Sequence, residues 1–132
     1  MSSVVIDTDV FSYIFKRDSR ARGYVDSLRD QELCISFMSV AELKRWAIQH
    51  RWGQARRQSL TESLRHYIVL AYDEQMTDVW AGIKTHRDRA GKPIETGDCW
   101  VAATAVRFGL PLVTHNRAHY EGVPNLQLIT SK

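Results

Sequence analysis

Along the chain, short apolar runs alternate with longer stretches in which apolar residues recur at helical spacing. The runs VVI (4–6), LCIS (33–36), YIVLA (67–71), LPLVT (110–114) and LQLIT (126–130) predict five strands. The first and fourth are continuous rather than alternating, as in strands buried on both faces. Between them, VFSYIFK and RARGYVDSLRD predict two short helices. SVAELKRWAIQHRW opens on Ser39 with Glu42 three residues on, the capping-box pattern. GQARRQSLTESLRH continues as a further helical arm. DEQMTDVWAGIKTHRDRA is long and amphipathic, with Met76, Val79, Trp80 and Ile83 on one face, and stops before Gly91 and Pro93. TGDCWVAATAVRFG offers Thr96 as N-cap and Gly109 as C-cap. Strand–helix alternation of this kind predicts an α/β fold with a central parallel sheet of about five strands between helical layers.

Composition narrows the class without naming a function. The 132 residues are 44% hydrophobic and 25% charged, ordinary for a globular chain and enough for one domain spanning 1–132. Cys34 and Cys99 follow no metal-ligand or redox spacing and are expected to be buried thiols. No apolar run approaches a membrane span and no secretory signal is legible, so a cytoplasmic location is expected. The formal charge of +3 is too small to identify a polyanionic partner alone.

The acids change the picture. In parallel α/β folds, ligands bind at the carboxyl ends of strands, near a switch in strand order. Asp7 ends the first predicted strand, and Asp9 follows in the same turn. Glu42 lies in the first turn of the helix after the second strand, Asp98 in that of the helix before the fourth. Thr114 and Asn116 follow the fourth strand. Asp98 reaches the same edge only if its helix starts there, through an irregular connection after Pro93. Singly, each acid has an ordinary role: Asp7 as a strand end, Glu42 as half of a capping box, Asp98 as a first-turn acid favoured by the helix dipole. Together they would repel in a partly dry cleft, and a hard divalent cation relieves that repulsion. The chemistry this predicts is metal-assisted hydrolysis of a phosphate ester.

At these residues the chain resembles the PIN-domain ribonucleases, most closely the VapC toxins of toxin–antitoxin pairs. The matching pieces are VVIDTDVF, SVAEL around Glu42, GDCWVAATAVRFGLPLVTHN around Asp98 and Asn116, and HYEGVPNLQLI. The resemblance implies an α/β/α PIN-like fold and a Mg²⁺- or Mn²⁺-dependent endoribonuclease of structured RNA such as tRNA or rRNA. It further implies a homodimer silenced by a VapB-like antitoxin. It assigns Asp7, Asp98 and Glu42 as metal ligands, Asn116 as a fourth catalytic position, and Thr114 and Asp9 as hydrogen-bonding support behind them. Asn116 stands where an acid is usual, and His119 precedes Tyr120 where an acid is often found, so one or two ions remain open.

A negative cleft for RNA needs positive surroundings. Lys44, Arg45, Arg51, Arg56 and Arg57 form a basic arm interleaved with Trp46 and Trp52. The arginines are expected to contact phosphates, and the tryptophans to pack on the core or a dimer partner. Lys84, Arg87, Arg89 and Lys92 read as a solvated helix end. His115 and His119 read as exposed or RNA-contacting. Two rival readings stand beside the nuclease. A haloacid-dehalogenase-type phosphatase also begins with a strand ending in DxD, but Phe11 and the residues after Gly97-Asp98 break its pattern. A PIN fold that binds RNA or a partner without cutting is the other, kept alive by Asn116.

Overall fold

The computed structural model describes residues 2–131; Met1 and Lys132, the ends of the expected domain, lie outside the described residues. Five strands are present: β1 (Ser3–Ile6), β2 (Glu32–Ser36), β3 (Ile68–Leu70), β4 (Leu112–Val113) and β5 (Leu128–Ile129). They form one all-parallel sheet in the order β3-β2-β1-β4-β5. The central strand is β1, flanked by β2 and β4, so the strand order switches there. Alternate residues of β1 face opposite layers. Val5 packs with Met76, Ile83, Ala102 and Leu112. Val4 and Ile6 pack with Val10, Phe11, Leu43 and Val113. The result is the expected α/β/α layering, with Val5 and Ile6 fully buried. Each such side chain contributes about 1.5–3 kcal/mol by leaving water.

On one side lie α1 (Thr8–Phe15), α3 (Phe37–Gln49) and α4 (Gln54–Leu64). A 3-10 helix (Ser19–Tyr24) and α2 (Val25–Leu28) replace the single short helix expected for that segment. On the other side lie α5 (Glu74–Arg89) and α6 (Thr96–Phe108). Small residues on α6 (Ala102, Ala103 and Ala105, each 0% exposed) let its backbone lie close to the sheet. A short α7 (Arg117–Tyr120) follows β4.

Helix α3 is not capped by Ser39. It begins at Phe37, and Ser36, the last residue of β2, is its N-cap, accepting from the Met38 N–H at 3.2 Å. Such a cap is worth about 1 kcal/mol. Ser39 is fully buried inside the helix instead. Likewise Glu95, not Thr96, is the N-cap of α6, while Gly109 ends it in the left-handed conformation (φ 67°). Strand β4 is shorter than 110–114. Pro111 has no N–H to donate and enters the ladder only as an acceptor, from Val5 N–H at 2.9 Å.

Helices α5 and α6 run antiparallel. At one end Thr104 Oγ1 contacts Met76 Sδ and Arg107 pairs with Asp73 at 2.9 Å; toward the other, the Trp80 and Trp100 rings stack at 5.3 Å and Lys84 Nζ donates to Ile94 O. Helix α5 therefore carries the chain toward the carboxyl edge of the sheet, and residues 90–95 turn it into α6. This hairpin, rather than an irregular connection alone, puts Asp98 at that edge.

Candidate active site

Strand β1 ends at Asp7, and the Asp7 N–H still donates to Val113 O at 2.9 Å, so its backbone is held by the sheet. Asp7 also caps α1. Asp7 is only 5% exposed. Oδ1 accepts from Thr8 N–H at 2.8 Å and lies 3.2 Å from the Tyr120 hydroxyl; Oδ2 accepts from Thr114 Oγ1 at 2.7 Å. The same Tyr120 hydroxyl lies 3.3 Å from Asp98 Oδ1. One buried phenol therefore stands between two carboxylates delivered by a strand end and a helix start.

Glu42 joins through a different hydroxyl. Thr8 Oγ1 donates toward Glu42 Oε1 at 3.1 Å and toward Ser39 Oγ at 2.8 Å. Glu42 and Asp98, with Met38, Ala41, Arg45, Glu95 and Gly97, line an open cleft of about 300 Å³. Asp9 is turned toward the loop after β4, accepting from Val10 N–H at 2.7 Å and His115 N–H at 3.1 Å. Asn116 is exposed at the rim. Its N–H donates to Thr114 Oγ1 at 3.1 Å, and no hydrogen bond joins its side chain to the three acids among the described residues.

The charges are uncomfortable as they stand. Burial first, then the neighbouring Asp9, pushes the Asp7 carboxyl up to about 7, against the opposing hydrogen bonds from Thr114 and Thr8. Burial likewise raises Glu42, Asp98 and Asp9 above the ordinary carboxylate range. Burial, then the Asp7 and Asp98 charges, drives the Tyr120 hydroxyl far above the usual phenol value, so it stays a proton donor.

The donor set fits a hard cation: it is built of oxygens, carries excess negative charge and is open on one side. Among the described residues, no three His, Cys, Asp or Glu side chains gather into a ready-made cage. Asp7 and Asp98, one on each side of the Tyr120 hydroxyl, are the one or two carboxylates that a hydrated Mg²⁺ takes.

The basic residues are dispersed rather than arrayed on one face. Arg45 alone lines the acid cleft. Lys44 and Arg57 border a separate cleft with Ile48 and Leu60. Arg56 lies 4.0 Å from the Trp52 ring centroid, and Phe15 stacks on Trp52 at 5.9 Å. Arg51 is exposed with a left-handed backbone (φ 51°). Trp46 packs against the core. Arg87 is not a solvated helix end. It is 5% exposed because its guanidinium donates to Lys92 O at 2.6 Å and His119 O at 3.0 Å, tying the α5–α6 turn to α7. His119 is exposed, yet its Nδ1 sits 3.1 Å from Asp98 Oδ2. His115 is half-buried against Tyr13 and Tyr24. Sequence reasoning missed Thr8, Ser39 and the Tyr120 hydroxyl. The only available signal was a hydroxyl directly after Asp7 and a tyrosine at a buried aromatic position.

A parallel sheet with its order switching at β1, and acids converging beside Asp7, defines the class: the chain belongs to the PIN-domain family, whose domain model matches residues 4–122. Among individual proteins, it is 28% identical over 126 residues to Ribonuclease VapC4 of Mycobacterium tuberculosis, covering 94% of this chain and 93% of that one. It is also 28% identical over 127 residues to the plasmid stability protein StbB of Pseudomonas syringae pv. tomato, covering 89% and 91%. In fold it is similar to VapBC2 from Rickettsia felis, crystallised with a DNA fragment from its promoter (TM-score 0.88, 20% identity, 98% and 99% covered). It is also similar to DNA-bound VapBC from Salmonella typhimurium (TM-score 0.80, 24% identity, 98% of each chain covered).

Proposed function

We propose that this protein is a Mg²⁺- or Mn²⁺-dependent endoribonuclease, the toxin of a toxin–antitoxin pair, cutting structured RNA such as tRNA or rRNA. The observation that carries the reading is the convergence of Asp7 and Asp98 on one Tyr120 hydroxyl at the carboxyl edge of a PIN-domain sheet. Relatives spanning nearly the whole chain are named ribonucleases, which supports it.

Asp7 and Asp98 would hold the ion, with Glu42 as a further ligand or a partner through water. When bound, the ion polarises the scissile phosphodiester and lowers the pKa of water. The chain's own groups do the rest. Thr114 and Thr8 fix the Asp7 carboxylate, and Tyr120 holds Asp7 and Asp98 at a set spacing. Thr8 aims Glu42 along the cleft, where its carboxylate orients the attacking water and takes its proton. The exposed amide of Asn116 is placed to donate to a phosphate oxygen, and Arg45 attracts the RNA strand. In-line attack leaves 5′-phosphate and 3′-hydroxyl ends.

The same reading includes a homodimer in the cytoplasm, neutralised by a VapB-like antitoxin. The VapBC and FitAB complexes among its fold neighbours support that partner. No helix among the described residues is long and apolar enough to cross a membrane.

The test compares wild type with Asp7→Asn on total RNA, with Mg²⁺ or Mn²⁺ and with EDTA. Cleavage by wild type that EDTA and the substitution both abolish is the expected result. Equal cleavage by the folded mutant overturns the mechanism. A folded wild type that binds RNA and cuts nothing makes the protein a binding module.

A further inference from the structure

Beyond the acids, on the Asn116 side, lies a group of side chains that the catalytic reading leaves unused. Tyr13 sits well into α1, yet helical side chains lean toward the N-terminus, so its ring reaches back to the carboxyl edge and meets His115 edge-on at 5.3 Å. His115 is anchored on both sides. Its ring Nδ1 is 2.6 Å from the Tyr24 hydroxyl, and its N–H donates to Asp9. The preceding residue, Thr114, donates to Asp7. The Tyr13 ring is therefore two residue contacts from the acid cluster.

The chain then folds back over that ring. Arg17 takes a left-handed conformation (φ 54°), disfavoured for a residue with a Cβ. Asp18 N–H returns to Tyr13 O at 2.8 Å. This turn brings the Arg20 guanidinium to 4.0 Å from the Tyr13 ring centroid. Asp18 grips it through Nε at 3.0 Å and Nη2 at 2.7 Å, and Nη1 lies 3.3 Å from the Tyr13 hydroxyl. A surface arginine would ordinarily sample many rotamers; this one is held over the ring by Asp18 and the Tyr13 hydroxyl. Its side chain is 54% exposed, so the guanidinium face turned away from Tyr13 meets solvent. Arg17 and Arg22, close to it in sequence, are exposed, with Asp18 as the one acid in 16–22, while Lys16 lies over the Trp46 ring at 5.7 Å.

The geometry points to a nucleobase subsite: an unpaired base of the RNA stacks on the outer face of Arg20, extending the Arg20–Tyr13 stack, while the neighbouring cations hold its phosphates. Planar guanidinium faces stack on bases as aromatic rings do. The inference rests on the ribonuclease reading, and gives the strand a second foothold opposite Arg45, so that it crosses the acids between the two.

The experiment measures fluorescence anisotropy in EDTA, with labelled single-stranded oligoadenylate and with an abasic ribose-phosphate chain of the same length. Wild type is expected to bind oligoadenylate about tenfold more tightly than the abasic chain, the scale of one stacked base. Tyr13→Ala and Arg20→Ala are expected to erase that preference. Arg20→Lys keeps the charge and is expected to lose the preference while retaining affinity for the abasic chain. Melting curves establish that each variant is folded. Equal binding of both probes by wild type, or a preference that survives in the folded variants, overturns the inference. Variants with wild-type affinities also overturn it, whatever the pair then does for a protein partner. Cleavage of total RNA is scored separately. Cutting without a base preference removes the subsite and leaves the nuclease, whereas no cutting with any metal removes the nuclease and leaves the binding result to stand.

Discussion

Asp7 and Asp98 share a hydroxyl but live in different surroundings. Asp7 is set by a strand. Its backbone is tied to β4, it is 5% exposed, and donors from three parts of the chain occupy both its oxygens. Asp98 is set by the first turn of a helix. Its side chain is 23% exposed, and among the described residues its carboxylate pairs, besides Tyr120, only with His119, itself 55% exposed. The site therefore has a rigid inner wall and a wet rim. An acid in the wall must be satisfied before any ion arrives, because a buried carboxylate without donors is severely destabilising. An acid on the rim is solvated and free to adjust to a ligand. Asp7 is thus at once a structural and a chemical residue, and Asp98 mainly a chemical one.

The largest expected effect follows. Asp7→Asn and Asp98→Asn should each lower cleavage by more than the roughly 10–100-fold typical of residues that only orient a ligand. The Asp7 change should also move the melting temperature of the ion-free protein more than the Asp98 change does. Equal shifts in both would erase the distinction between wall and rim. Next comes Thr114→Val. It removes the donor to Asp7 Oδ2 and the acceptor of Asn116 N–H in one step. Activity and Mg²⁺ affinity, read by calorimetry, should fall about 10–100-fold. Stability should fall by about 1–3 kcal/mol, because a buried group loses its partner.

The wall was more legible in the sequence than the rim. An apolar run that stops at Asp7 marks a buried strand end, and Thr114 follows a second such run. Glu42 was ambiguous because Ser39 and Glu42 imitate a capping box, while the actual cap, Ser36, doubles as the last residue of β2. That shift of three residues turns Ser39 inward to Thr8, and so ties Glu42 to the strand that carries Asp7. The position of Asp98 depends on α5 and α6 pairing as a hairpin, a tertiary fact that no local pattern encodes. Arg87 was misread for the same reason: its partners are carbonyls of Lys92 and His119, in loops that meet only after folding. The turn that lays Arg20 on Tyr13 has a left-handed arginine where a glycine would have announced it.

A smaller effect separates wall from rim by pH. Asp7 titrates near 7 in the fold against an ordinary 3.8. Its folded form holds the proton more tightly than the unfolded chain. The resulting stabilisation is complete below the unfolded value and is lost as pH rises through the folded one. Asp98, Glu42 and Asp9 shift in the same direction. In EDTA, the melting temperature should therefore fall between about pH 4 and about pH 7. Mg²⁺ should restore it, with a larger gain at the higher pH, where the carboxylates are ionised. Asp7→Asn should flatten the slope more than Asp98→Asn does. A slope unchanged by Asp7→Asn would place the titration elsewhere.

The smallest effect concerns the outermost part of the rim. Arg45 and Lys44 are adjacent, both exposed and both positive, yet they face different clefts: Arg45 lines the one with Glu42 and Asp98, Lys44 the one with Ile48 and Leu60. If position at the acid edge matters rather than charge alone, Arg45→Ala should weaken RNA binding and reduce the log–log salt slope by about one. Lys44→Ala should leave the slope near that of wild type. Arg45 also opposes the burial that raises Glu42, so its loss should shift the pH dependence of cleavage upward, an effect Lys44→Ala should not share. Equal salt slopes and equal pH profiles for the two variants would mean that the strand is held by the whole basic arm and not by its one member at the rim.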